Sequence, residues 1–190
     1  ENGRSPKGQK ESIRDFIFSW FNAKKRQEQY ASLLKKYTPI KDIKLNDYIN
    51  IYQTGHNAII ENIVLNLKIN NDWVPWSYLS DGTKRLFHII TEVIFSNSNI
   101  ILLEEPELGI HPNQLFKLMD FLKLQSEKKQ IIISTHSPIS LDVIHPDDLE
   151  QIIIAKMTKK GTVLNHLDDQ QKSKAIAYIN KVGNLSAYWL

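Results

Sequence analysis

The segments LSDGTKR (residues 79–85), IILLEEPELGIHP (100–112) and IIISTHSP (131–138) decide how this chain is read. Two short apolar runs end abruptly in chemically able residues. Ile100, Ile101, Leu102 and Leu103 run into Glu104 and Glu105, and Ile131, Ile132 and Ile133 run into Ser134, Thr135 and His136. An aliphatic run without alternation is what a strand buried on both faces looks like. Residues 86–95 and 115–124 carry apolar side chains at helical spacing instead. Strands alternating with helices predict an α/β fold, a parallel sheet flanked by helices. Ligands of such sheets gather at the carboxyl ends of the strands, so Glu104, Glu105 and His136 are expected at the active edge.

Neighbouring side chains on a strand point to opposite faces, so the two acids should have different jobs. One would help hold Mg²⁺ through water, because that ion keeps much of its hydration shell. The other would orient or deprotonate an attacking water. The plain alternative is a strand running into an acidic surface loop, and the continuation Pro106, Glu107, His111-Pro112 counts against it. A neutral imidazole at His136 can donate to a γ-phosphate oxygen or to the water; its plain alternative is a capping histidine bonded to backbone. Metal binding by His111 and His136 fits poorly, since there is no i,i+4 histidine pair and no HExxH. Residues 79–85 read as a turn opening a helix, with Ser80 or Asp81 as cap and Gly82 letting the backbone approach a ligand. Free N–H groups and the positive dipole end make that terminus an anion site, suited to a γ-phosphate. Lys84 and Arg85 stand in the first turn, where positive charge disfavours a helix unless a phosphate or carboxylate lies opposite.

Working outward, residues 1–10 are polar, with Gly3, Pro6 and Gly8, and read as a flexible lead-in. Over 11–37, Ile13, Phe16, Ile17, Trp20, Phe21, Tyr30, Leu33, Leu34 and Tyr37 follow helical spacing, and Pro39 stops the helix. It reads either as a helix packed on a core or as an arm that holds a partner. Residues 40–52 and 59–76 are β-rich, with a turn at Asn70-Asn71-Asp72. A short helix begins over 140–143, a hairpin is expected over 151–157 and 161–164, and a last helix over 172–181. The expected organisation is a lead-in and amphipathic helix over 1–37, the end of a helical insert or arm, and a sheet-bearing lobe over 38–190.

The chain is 42% apolar and 24% charged, which is ordinary for a soluble globular protein. A net charge of +3 is too mild to argue for nucleic acid alone. Lys24, Lys25, Arg26, Lys35 and Lys36 could line a basic groove, although lysines on an amphipathic helix mostly serve solvation. The absence of cysteine excludes a disulfide framework and a thiolate metal site, and fits a cytoplasmic home. No apolar run approaches the ~20 residues needed to cross a bilayer, so no membrane association is expected. The sequence opens without Met or a signal-peptide profile and is expected to be a piece of a longer chain.

The three motifs together resemble the ABC-type ATPase heads of the SMC, RecF and OLD-like group, closest to the stand-alone OLD-like bacterial ATPases, over roughly residues 36–190. LSDGTKR is similar to the signature motif, IILLEE to Walker B with its catalytic glutamate, PELGIHP to the D-loop and STHSP to the switch-histidine loop. The closing GNLSAYWL resembles the C-terminal end of those proteins. The resemblance implies a P-loop NTPase-like fold, present here as the C-terminal lobe without the lobe that carries Walker A. It implies ATP and Mg²⁺. It makes Glu105 the general base, His136 the γ-phosphate sensor and Glu104 the magnesium-side group, through water. Ser80, Asp81, Gly82 and Thr83 would meet the γ-phosphate of a nucleotide held by the other protomer, and Glu107, Gly109 and His111 would contact the partner head. Two copies would then sandwich ATP as a homodimer, and hydrolysis would release the contacts that close it.

Two departures from that pattern stand out. Glu104 replaces the aspartate of many such heads, which moves the carboxylate by roughly 1.5 Å, a form that OLD-like proteins often carry. No GxxxxGK[ST] occurs, and GRSPKGQK at 3–10 lacks both the preceding strand and the Gly-Lys-Ser/Thr finish. Without that loop the phosphates lose their main cradle, so this chain alone is expected not to hydrolyse ATP efficiently. The setting implied is bacterial anti-phage defence, with a nuclease or toxin effector on a separate chain. Asp168-Asp169 reads as a solvated turn and not as part of a nuclease triad. The alternatives are a RecF/SMC-type DNA repair or maintenance ATPase, with DNA as a further partner, and a non-catalytic interaction module with a decayed nucleotide site. Intact Glu105 and His136 count against the last.

Overall fold

The computed structural model describes residues 24–46, 48, 50–54 and 57–189. The lead-in, the apolar positions of residues 13–21 and the loop-like GRSPKGQK lie outside the described residues. The chain divides into two compact units, residues 1–133 and residues 134–190.

In the first unit, helix α1 (Lys24–Tyr37) buries Tyr30, Leu34 and Tyr37. It packs on strand β1 (Ile40–Leu45) and on helix α3 (Pro112–Ser126), so these residues form part of the core. A single hydroxyl makes the junction between α1 and β1. Thr38 Oγ1 donates to the Leu34 carbonyl at 2.6 Å and accepts from the Ile40 N–H at 3.0 Å. Strand β1 pairs antiparallel with β4 (Leu65–Ile69), which pairs antiparallel with β5 (Asp72–Pro75). The intervening β2 (Asn50–Thr54) and β3 (Asn57–Glu61) form their own antiparallel hairpin. The predicted turn joins β4 to β5, with Asn70 in the left-handed region (φ 55°) that asparagine tolerates.

Helix α2 (Asp81–Phe95) buries Leu86, Phe87, Ile89, Ile90 and Val93, the i, i+3, i+4, i+7 stripe of a core-facing helix. Tyr30 meets Phe87 and Phe95 edge-on, with centroids 6.0 and 5.3 Å away. Its hydroxyl hydrogen-bonds Thr91 Oγ1. Burial pushes the Tyr30 phenol far above its ordinary pKa, so it stays a neutral partner. Lys129 Nζ donates to the carbonyls of Val93 and Ser96 and closes the end of α2.

Strand β6 (Ile100–Glu104), α3 and β7 (Gln130–Ser134) make a β-α-β unit in which the strands are parallel neighbours. Helix α3 buries Leu115, Leu118, Met119, Phe121 and Leu122, and Tyr37 lies 5.3 Å from the Phe121 ring. The expectation that both strands are buried on two faces is corrected. Ile101 is buried, but Ile100 is 54% exposed, Leu102 73% and Ile132 50%. An unbroken apolar run leaves its second face greasy whether or not anything covers it, and here one face is bare.

The second unit is small. Two 3-10 turns, Pro138–Val143 and Pro146–Gln151, precede the hairpin β8 (Ile153–Thr158) and β9 (Gly161–His166), helix α4 (Asp169–Val182) and helix α5 (Ser186–Trp189). Leu149, Ile152, Leu167, Ala175 and Leu185 form its core. Asp168 and Asp169 are exposed, and Asp168 is the cap of α4. Its carboxylate accepts from the Gln171 N–H at 2.7 Å, while Gln171 Oε1 accepts from the Asp168 N–H at 3.0 Å. The Asp142 carboxylate accepts from the Ser186 N–H at 2.7 Å and from its hydroxyl at 2.8 Å, holding α5.

Candidate functional site

Ser80, not Asp81, caps α2: Ser80 Oγ accepts from the Thr83 N–H at 3.3 Å and lies 3.0 Å from the Thr83 hydroxyl. Helix therefore begins at Asp81, and Gly82 to Arg85 belong to its first turns. Ser80 and Asp81 are exposed and Thr83 is half-buried, while Lys84 lies 3.8 Å from the Asp81 carboxylate. Gly82 is buried, and its missing side chain has a partner inside the protein. A Cβ built there would stand 2.1 Å from the Gly109 carbonyl oxygen, well inside contact distance. The close approach expected between Gly82 and a ligand is, in this structure, an approach to the backbone of residue 109.

Strand β6 ends at Glu104, whose side chain is exposed, and Glu105 follows with φ 42°, in the left-handed region. That conformation is uncommon for a residue with a Cβ and costs roughly 1 kcal/mol or more. The chain then turns tightly. Leu108 N–H donates to the Glu105 carbonyl at 3.2 Å, Ile110 N–H donates to the Glu107 carbonyl at 2.9 Å, and Gly109 sits at φ 72°. Pro106 and Ile110 are buried, which ties the turn down at both ends. His111 closes it by capping α3, its Nδ1 accepting from the Asn113 N–H at 3.3 Å, with Pro112 in the first turn.

The group that joins these two segments is Arg85. One of its terminal nitrogens donates to the carbonyls of Glu104 (3.0 Å) and Glu105 (2.7 Å). Positive charge at Lys84 and Arg85 in the first turn predicts a phosphate or a carboxylate opposite, and Lys84 has the Asp81 carboxylate 3.8 Å away. The acceptors of Arg85 are instead two backbone carbonyls, which no residue-type signal marks.

His136 lies two residues beyond β7, in the second unit, and is exposed. In its loop Thr135 Oγ1 accepts from the Ser137 N–H at 2.9 Å and lies 3.4 Å from the buried Ser140 hydroxyl. No group of three or more His, Asp or Glu side chains able to hold a metal exists among the described residues. A hydrated Mg²⁺ needs only one or two carboxylates beside phosphate and water, and the exposed Glu104 carboxylate fits that modest demand.

Residues 5–142 match the family described as "AAA domain, putative AbiEii toxin, Type IV TA system". The energy-coupling factor transporter ATP-binding protein EcfA of Methanosphaera stadtmanae is 33% identical over 98 residues, 51% of this chain and 34% of that protein. An ATP/GTP phosphatase of Helicobacter pylori is 28% identical over 138 residues, 67% of this chain and 36% of that protein. The chain thus spans about a third of the length of these curated relatives. Among solved structures, a chain from work on ATP-driven dimerization and DNA-stimulated activation of SMC ATPases superposes with a TM-score of 0.57 at 16% identity, over 87% of this chain and 97% of that one. The Smc head of Pyrococcus furiosus, bound to the C-terminal domain of ScpA, gives 0.57 at 15% identity over 81% of this chain and 37% of that one. The fold is that of SMC ATPase heads.

Proposed function

The chain belongs to the AAA-domain family of AbiEii type, and from that premise we propose that residues 38–190 are the C-terminal lobe of an ATPase head that closes on a second copy around ATP. The observation that carries this reading is the block formed by the Ser80-capped start of α2 and the turn after Glu105, joined at Gly82–Gly109 and at Arg85. Its exposed helix terminus, with N–H groups and the positive dipole end, supports a role in meeting a phosphate. Ser80, Asp81, Gly82 and Thr83 meet the γ-phosphate on the partner's nucleotide. Glu107, Gly109 and His111, on the adjoining turn, face the partner head. The bare face of β6 and β7 supports a second lobe, carrying the phosphate-binding loop, that covers Ile100, Leu102 and Ile132.

In this reading Glu105 takes a proton from the water that attacks the γ-phosphorus, and the bond to ADP breaks. His136 donates to a γ-phosphate oxygen. Mg²⁺, when bound, offsets phosphate charge, and Glu104 is the group of this chain that faces it through water. The head works in the cytoplasm in bacterial defence and governs a separate nuclease or toxin; the family's link to type IV toxin–antitoxin systems supports that setting.

The test is Glu105→Gln in the polypeptide that supplies the phosphate-binding loop. Expected are retained ATP binding, an ATP-dependent dimer that persists, and turnover lowered by roughly 100-fold or more. An unchanged hydrolysis rate would remove Glu105 from the role of base.

A further inference from the structure

We propose that Arg85 is a positioning residue for Glu105, transmitting the state of the signature helix to the carboxylate that activates water. The inference rests on the reading of Glu105 as the base. The Glu104 carbonyl belongs to the peptide unit before the Glu105 Cα, and the Glu105 carbonyl to the unit after it. A single nitrogen of Arg85 holds both, at 3.0 and 2.7 Å. Carbonyls held on either side of one Cα restrain both of its dihedrals, and with them the direction of the Cα–Cβ bond. Glu105 is also the residue that needs such a clamp. Its φ of 42° is unfavourable for a side chain bearing a Cβ and persists only when the surroundings impose it.

The clamp is anchored on the element expected to feel the partner's nucleotide. Arg85 lies in α2 five residues after its cap Ser80, so a shift of the helix start moves the guanidinium. The contact of Gly82 with the Gly109 carbonyl is a second link between the same two segments, with no slack for independent motion. The Arg85 Nε–H is buried with no acceptor among the described residues. The guanidinium reaches the turn through its hold on these two carbonyls. Engagement of one site would therefore set the geometry of the base that serves the other.

A double-mutant cycle tests this on the ATP-hydrolysing polypeptide. Arg85→Met in the otherwise native protein is expected to lower single-turnover hydrolysis about 10- to 100-fold, the cost of a slightly misplaced base, with the Kd for ATP unchanged within about twofold. In a Glu105→Gln background the same change should alter the residual rate less than about twofold, because no base remains to be positioned. An equal drop in both backgrounds, or no drop in the native one, overturns the proposal. Should the Met variant fail to fold, Arg85→Lys takes its place, keeping the charge but losing the planar fork, and the same two outcomes decide. If Glu105→Gln itself leaves hydrolysis untouched, the function proposed above fails, which is a separate result.

Discussion

The block around residues 79–111 and the loop at 134–144 both carry candidate site residues, and they display contacts of different reach. The first is assembled from segments about twenty residues apart, through backbone contact at Gly82–Gly109 and a side-chain clamp from Arg85. In the second, Thr135 bonds Ser137 and Ser140, a few residues away. Long-range backbone joints leave two segments one shared conformation. On the proposed role, a surface that recognises a partner's nucleotide gains from this kind of construction.

The sharpest way to break that contrast is to add one methyl group. Gly82→Ala places a Cβ against a backbone oxygen, and neither partner is a flexible side chain that could swing away. Overpacking of this kind costs about 1–3 kcal/mol, and more where the backbone must shift. Gly109→Ala strikes the same contact from the other side, but its Cβ would meet nothing closer than 3.8 Å. Only its φ of 72° opposes it, at a cost of about 1 kcal/mol. Urea melts should rank Gly82→Ala as the more damaging. Equal losses would mean that the two segments yield to each other and are not joined as described.

A smaller effect is expected in the second unit. Asp142→Ala removes the acceptor of two hydrogen bonds from Ser186, made to a charged group. The cost is about 1–3 kcal/mol, and it falls on α5 and its packing against the turn Pro138–Val143. Hydrogen exchange should show faster amides in residues 186–189 and unchanged ones in α2 and α3. Loss of protection in α2 would mean that the two regions are not separately built.

Much of this was legible in the sequence, for reasons that also mark where legibility stopped. The helices over 81–95 and 112–126 announced themselves through apolar residues at helical spacing over 86–95 and 115–124, and the strands over 100–104 and 130–134 through unbroken aliphatic runs. Asn70-Asn71 announced its turn because asparagine tolerates the left-handed region. The pairing of β1 with β4 across an intervening hairpin was not visible, because alternation marks a strand but not its partner. Nor was the bare face of Leu102 visible, since an aliphatic run looks the same covered or uncovered. Gly82 was singled out for an approach to a ligand; its close approach to the backbone of residue 109 was not foreseen, because spacing says nothing about contacts made through the fold. The acceptors of Arg85 were hidden for the same reason: every residue has a carbonyl.

The gentlest probe of the first region is protonation of His88, on the exposed flank of α2. Its ring stands edge-on to Trp76, with centroids 5.2 Å apart. Partial burial lowers its pKa below the ordinary histidine value, and the Glu92 carboxylate one turn on partly opposes that shift. The folded state therefore binds the proton less readily than the unfolded chain does. Stability attributable to this group is fully present above the unfolded pKa of about 6.5 and is lost as pH falls through that value toward the lower folded one. Urea midpoints measured at pH 8 and pH 5.5 should fall further in the native chain than in His88→Gln, by less than either effect above. The exposed ring limits the size of the difference, because water screens the charge it acquires. An identical fall in both proteins would show that the aromatic contact with Trp76 does not desolvate the imidazole.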